Sequence, residues 1–564
     1  MPLKRVPVGI DDFKDLIEGY YYVDKTLFIK ELLDLKGKVN LFTRPRRFGK
    51  TLNMSMLQYF FENTGDKAED EANRMLFKGL KIEQQGEEYI RMMNQYPVIN
   101  LSLKSSKQPE WELAYGCMKE EIGREYFRHR RVMESLETPE QRRRYEDIMN
   151  LRGGRQDYVT SVRFLSDCLY QHWKHKVIIL IDEYDVPLEN AYFEGFYEEM
   201  IGFIRSVFES ALKSNPYLEF AVVTGCLRIT RESIFTGLNN LEMISILNQS
   251  YSEYFGFTKE EMEAILDYYQ LSDLKMRVKE WYDGYRFGNV EVYNPWSVVN
   301  YVKSLIVSKE SLPEPYWANT SSNHIVRNLV EHADSSVKRE LEELLAGGTV
   351  EKPVHEDITY DSVYNSADNL WNFLFFTGYL TQERRRMEQE TQYITMRIPN
   401  LEVKYIYKNT VTNWFRDKVK VRDLSVLYHS MLEGEADVFQ HELSKLLQES
   451  ISYMDAKEAF YHGFILGTLG NMKDFIVKSN RESGNGRLDI LVRSLDVSIP
   501  PVVMELKIAD TFRGMEKACR EALRQIDELG YDTALPEEGY TGVWNYGIAF
   551  FRKQCRIQVK YKEL

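Results

Sequence analysis

Apolar positions along the chain follow two rhythms. Near the start they recur at helical spacing (Phe13, Leu16, Ile17; then Leu27, Phe28, Leu32, Leu33), which predicts packed amphipathic helices. Short, nearly unbroken apolar runs follow at wide intervals: Val39 to Phe42, Tyr96–Leu103, Val177–Ile181 and Leu218–Gly225. Runs that are apolar on both faces predict buried parallel strands with helices packed on either side. Glu112–Trp173 reads as a long helical insertion. Residues 241–385 read as mostly helical, and Leu370–Thr381 followed by Gln392–Asn400 reads as a helix plus a two-stranded wing, so a winged-helix-like lid is expected. Residues 401–450 read as an amphipathic helical connector. Two further apolar segments, Leu488–Val492 and Val502–Lys507, read as adjacent strands of a last domain.

The first strand leads into Arg44-Pro-Arg46-Arg47-Phe-Gly49-Lys50-Thr51, and a helical pattern starts there. A strand feeding a Gly turn into a helix N-terminus suits phosphate, because backbone N–H groups and the helix dipole face the anion and Lys50 adds a full charge. The pattern G-x-x-x-x-G-K-[ST] is incomplete, because Arg44 stands at its first Gly. Its partner is Val177–Ile181, which ends in Asp182-Glu183 at the carboxyl edge of the expected sheet. In a P-loop ATPase, Thr51 and Asp182 hold Mg²⁺ and Glu183 orients the attacking water. Leu218–Gly225 ends at Thr224, placed to sense a γ-phosphate. Arg228 or Arg231 just beyond would neutralise transition-state charge, and the residues do not choose between them. Tyr20–Tyr22 would border the base or simply pack in the core.

Three phrases, Tyr20–Thr26 (YYYVDKT), RPRRFGKT and Leu180–Leu188 (LIDEYDVPL), resemble the bacterial AAA-ATPase-like family that carries a C-terminal PD-(D/E)XK nuclease domain. Trp281–Tyr285 and Tyr293–Ser297 are also similar to phrases of that family, whose own loop likewise has Arg at the first Gly position. The resemblance implies an AAA-like P-loop domain at 1–240, a helical and winged-helix-like region at 241–400, a connector at 401–450 and a nuclease-like α/β domain at 451–564. It implies a nucleotide site of Arg46, Arg47, Gly49, Lys50, Thr51, Asp182, Thr224 and Arg228.

In the last domain, Glu505 and Lys507 share a strand face because side chains alternate. If Asp489 pairs across on that face, two carboxylates and an ammonium converge. Hard oxygens of this kind hold Mg²⁺ while it keeps several waters, and Lys507 would position the attacking water or stabilise charge. Glu458, on a preceding helix, would complete the metal shell or its surroundings. The set Glu458, Asp489, Glu505 and Lys507 is similar to the PD-(D/E)XK core, and that likeness adds Gln525 on the following helix.

Composition changes this picture little. With 43% hydrophobic and 28% charged residues, the 564-residue chain has ordinary globular cores and room for several domains. No apolar leader or membrane-length run is evident, and the five cysteines lack any C-x-x-C pair, so reduced thiols in a cytoplasmic, membrane-free protein are expected. A net charge of −13 argues against a chain coated in nucleic acid but permits a local channel. The Arg-rich stretch 128–155 is by default a solvated helix face and only secondarily a DNA-facing patch. The expectation is therefore an ATP- and Mg²⁺-using ATPase joined to a nuclease acting on nucleic acid, DNA first. Two alternatives stay open: ATP hydrolysis as the only chemistry, and an ATP-dependent switch whose nuclease fold is inert. The oligomeric state is also open.

Overall fold

The computed structural model describes residues 3–213, 215–227, 234–235, 239–319, 326, 335–354, 363, 366–421, 423–449, 458–470, 472, 474–483, 486–531, 533 and 535–564. For 318–319, 335, 412–421, 449, 458–460, 480–483 and 486–488 it describes the backbone alone. The chain divides into two compact units: Met1–Ser322 with Glu351–Lys404, and Asn323–Val350 with Tyr405–Leu564.

The first unit is built on a five-stranded sheet of β1 (Val39–Thr43), β2 (Val98–Ser102), β3 (Val177–Asp182), β4 (Leu218–Gly225) and β5 (Leu241–Ile244). Its order is β2-β3-β4-β1-β5, and every pairing is parallel. The expected strands are all present. β4 lies between the strand that leads into the Gly-Lys-Thr loop and the strand that ends in Asp182, so the ends of all three meet at one edge. The edge strand β2 is closed by side chains of helix Trp111–Arg128. Glu125 accepts from the Asn100 N–H at 2.8 Å, Glu121 accepts from the Ser102 N–H at 3.1 Å, and Arg128 donates to the Val98 carbonyl at 2.6 Å. Satisfying an edge strand in this way removes a template for strand addition. Most arginines of the Arg-rich stretch are exposed, and several pair within the chain: Arg128 also with Glu62 and Glu125, Arg144 with Asp157, and Arg143 and Arg152 with Asp147.

The region read as mostly helical holds short strands as well. β5 lies just past the expected boundary at 240, yet it pairs with β1. A hairpin of β6 (Tyr285–Phe287) and β7 (Val290–Val292) follows. Four- and three-residue strands leave no periodicity to read, and partners distant in sequence decide them. Arg44 explains why this region belongs to the sheet. Its guanidinium turns inward, fully buried, donates to the carbonyls of Thr43 and Ile244 at 2.9 Å each, and stacks on Phe255 and Phe287. Burial pulls its pKa down to about 9.

Helix Ala367–Phe376 and the antiparallel pair β9 (Thr381–Glu388) and β10 (Thr391–Arg397), with β8 (Val350–Pro353) beside β10, form the helix and wing read from the sequence. The Trp281–Tyr285 and Tyr293–Ser297 phrases are packing elements. Gly284, at φ +89°, lies so close to Pro399 that a Cβ would strike its carbonyl. Ser297 donates to both oxygens of the buried Glu402, and the Trp317 N–H donates to one of them at 2.8 Å. Burial raises the Glu402 pKa from the ordinary 4.5 to about 8. The folded state therefore binds a proton that the unfolded chain releases, so this contribution is complete below about 4.5 and lost as pH rises through about 8. Glu402→Gln keeps the shape without titrating. The unfolding free energy measured across pH 5–9 is expected to fall for the native chain relative to this variant by roughly a few kcal/mol. Parallel curves would remove Glu402 from this role.

The second unit holds a sheet of β11 (Phe475–Ser483), β12 (Gly486–Ser494), β13 (Val502–Ile508), β14 (Gly542–Phe551) and β15 (Gln554–Glu563), in that order, antiparallel except for β13 beside β14. Its two faces are read from alternation. Ile490, Val492, Met504 and Leu506 pack with helices Ser425–Leu432, Ala436–Glu449 and Glu458–Leu469. Leu491 and Val503 face the other way, with Ile526 of helix Met515–Leu529. Among the described residues, no helix is long and apolar enough to cross a membrane.

Candidate functional sites

The first site lies at the carboxyl ends of β1, β3 and β4. Gly49, at φ +82°, caps helix Lys50–Phe61 in the left-handed conformation that glycine adopts at little cost. The Lys50 ammonium is 6% exposed and stitches the loop together, donating to the carbonyls of Arg44 and Pro45 at 2.9 Å each, with Cys226 Sγ at 3.6 Å. The Thr51 hydroxyl donates to Asp182 at 2.6 Å, and the Thr224 hydroxyl donates to the other oxygen of the same carboxylate. Asp182 is thus held between the loop helix and β4. Glu183 follows at φ +55°, an unusual conformation for a side-chain-bearing residue at a strand end. Burial, then the Asp182 charge, raises its pKa, while Lys50 and Lys104 pull it back.

The structure therefore brings Gly49, Lys50, Thr51, Asp182, Glu183 and Thr224 together. Arg46 pairs with Glu189 and Arg47 lies 4.3 Å over the ring of Trp296, while the charge of Arg46 still reaches Cys226 and that of Glu183 reaches Arg47. Arg228 and Arg231 fall outside the described residues. Tyr21 packs on Tyr268 and Tyr269, while Tyr22 packs on Phe13, which favours the core reading for these tyrosines. Two neighbours escaped the sequence reading: Cys226, whose thiol burial pushes up to about 11, and Asp185, buried behind it. The third acid in LIDEYD is the signal that would have found Asp185.

The second site lies on the β12–β13 face under helix Met515–Leu529. The ladder of Ile490 with Met504 and Leu491 with Val503, continued by one residue, sets Asp489 opposite Glu505. There Asp489 accepts the Leu506 N–H at 2.8 Å, and His462 lies 3.1 Å from its carbonyl. Glu505 is 2% exposed and accepts from Lys507 at 3.0 Å. Gly547 pairs with Glu505 across β14, and a Cβ there would collide with the Cys519 carbonyl. That glycine lets the helix bearing Gln525 settle onto the sheet. Gln525 donates to the Tyr531 hydroxyl at 3.3 Å, and the charges of Glu505, Asp489 and Lys507 all act on that tyrosine. Tyr531 had no signature in the sequence. Glu458 opens helix Glu458–Leu469, but its side chain is outside the described residues.

Hard carboxylate and hydroxyl oxygens fit Mg²⁺, which keeps much of its water. Among the described residues, no cluster of three or more His, Cys, Asp or Glu forms a denser cage.

Residues 7–235 match the AAA-ATPase-like family model, described as a predicted AAA-ATPase, and residues 456–560 match that of the PD-(D/E)XK nuclease superfamily. An uncharacterized protein in the vnfD 5' region of Azotobacter chroococcum mcd 1 is 26% identical over 410 residues, which cover 72% of this chain and 69% of that protein. The chain thus joins a domain of the AAA-ATPase-like family to a C-terminal domain of the PD-(D/E)XK nuclease superfamily.

Proposed function

We propose that the protein binds and hydrolyses ATP in its first unit and cleaves nucleic acid, DNA in the first instance, in its second, using Mg²⁺ at both sites. What carries this reading is that both constellations stand assembled in one chain: Thr51 and Thr224 on Asp182, and Lys507 on Glu505 opposite Asp489. Lys50 would lend its positive charge to the β/γ-phosphates, and Thr224 would sense the γ-phosphate. Glu183 orients the attacking water and accepts its proton. In the second unit, Asp489 and Glu505 would hold the metal, Lys507 positions the nucleophilic water, and Gln525 with Tyr531 borders the site. Mg²⁺, when bound, polarises the phosphate and lowers the pKa of a bound water.

Incubating purified protein with assorted DNA and RNA, with Mg²⁺ or Mn²⁺ and with or without ATP, tests the whole reading. Lys50→Ala removes a charge-assisted interaction worth roughly 1.5–3 kcal/mol, so nucleotide affinity is expected to fall about 10- to 150-fold in calorimetry. Unchanged affinity would refute the phosphate-binding loop.

A further inference from the structure

Asp185 is 3% exposed and caps helix Val186–Glu194 immediately after Asp182-Glu183-Tyr184. One of its oxygens accepts both the Cys226 N–H, at 2.7 Å, and the Leu227 N–H, at 3.0 Å. Tyr184 reinforces the same junction: its N–H donates to the Thr224 carbonyl at 3.1 Å, and its hydroxyl donates to the Leu227 carbonyl. Gly225 lies tight between them, since a Cβ there would fall 2.9 Å from Asp185 Oδ1 and nearer still to the Tyr184 ring.

These bonds grip the chain where it leaves β4. The parallel ladders that β4 makes with β1 and β3 end at Gly225 and Val223, so the sheet does not hold Cys226 and Leu227. The β1 ladder still holds Thr224 on one side, but towards β3 the pairing stops at Val223, so the placing of Thr224 against Asp182, and of Cys226 against Lys50, relies on this grip. A misplacement of about 1 Å remote from the chemistry can cost on the order of 100-fold in rate.

We propose that Asp185 is a positioning residue for ATP hydrolysis: it fixes the exit of β4 so that Thr224 stands in register with Asp182 and Glu183. The inference rests on the ATP-hydrolysis reading above. Its action is geometric, through an acceptor oxygen at a set depth, and its charge is incidental.

That distinction is testable in the full chain with two substitutions of opposite kind. Asp185→Asn keeps an oxygen at the same depth and discards the charge, whereas Asp185→Glu keeps the charge and moves the oxygen outward by a methylene. Steady-state ATP turnover and nucleotide affinity are measured for both. The expected result is kcat within about 3-fold of native for Asp185→Asn and about 10- to 100-fold lower for Asp185→Glu, with nucleotide affinity changed less than about 3-fold in each. Full turnover by Asp185→Glu, or lost turnover by Asp185→Asn, overturns the proposal. If the longer side chain prevents folding, Asp185→Ala, which removes the acceptor oxygen altogether, takes its place with the same expected loss of kcat, and full turnover by it overturns the proposal. Failure of the native chain to hydrolyse ATP instead overturns the parent reading, and this inference with it.

Discussion

Glu505→Gln is expected to lower Mg²⁺-dependent cleavage of nucleic acid by at least about 100-fold while leaving ATP turnover in place. Residues that merely support a metal ligand cost 10- to 100-fold when changed, so neutralising a ligand itself belongs at or beyond that limit. The substitution keeps volume and hydrogen-bonding shape at a position 2% exposed, so packing has little part in the loss. Asp489→Asn should behave in the same way, since an amide oxygen still accepts the Leu506 N–H that Asp489 now accepts at 2.8 Å. Lys507→Ala separates the roles: metal binding persists, because the carboxylates remain, but cleavage slows as the water loses its partner. The assay is cleavage against Mg²⁺ concentration for each variant. Robust cleavage by Glu505→Gln would remove it from the metal site. A native chain that cuts no nucleic acid, even with Mn²⁺ and ATP, would favour an inert domain.

Glu183→Gln is expected to retain nucleotide affinity within a few-fold and to lose about 100- to 10,000-fold in turnover, the usual range for a positioned general base. The pH profile adds a second signature: the carboxylate must be charged to accept a proton, so native turnover should fall at acid pH. The Gln variant should lack that limb. Rapid-quench turnover across pH, alongside affinity, checks both, and native-like turnover in the variant would leave Glu183 without a catalytic role.

Local chemistry made much of this legible. Val177–Ile181 read as a buried strand, because five apolar residues without alternation, ending in Asp182-Glu183, suit a strand covered on both faces. Gly49-Lys50-Thr51 named a helix start with an anion preference, and the period of two put Glu505 and Lys507 on one face before any partner strand was known. The residues proposed for both sites were picked out by residue type and short spacing.

Other features depended on contacts between segments distant in sequence. Inserting β4 between β1 and β3 carries Thr224 to Asp182, and only the parallel pairing shows this. The β12–β13 register decides that Asp489 meets Glu505; a slip of one residue would turn it to the opposite face. The sequence set Arg44 apart only by its place at the first Gly position of the motif and did not reveal the partners of Arg44, Arg46 or Arg47. Arg44 enters the core between Phe255 and Phe287, Arg46 finds Glu189, and Arg47 finds Trp296. Tyr531 joins the second site through the approach of helix Met515–Leu529, which Gly547 permits. Hydrophobic period and turn chemistry act over a few residues and so can be read from them. Strand order, register and the partner of a buried charge are set by which distant surfaces close together, and the tertiary structure alone decided those.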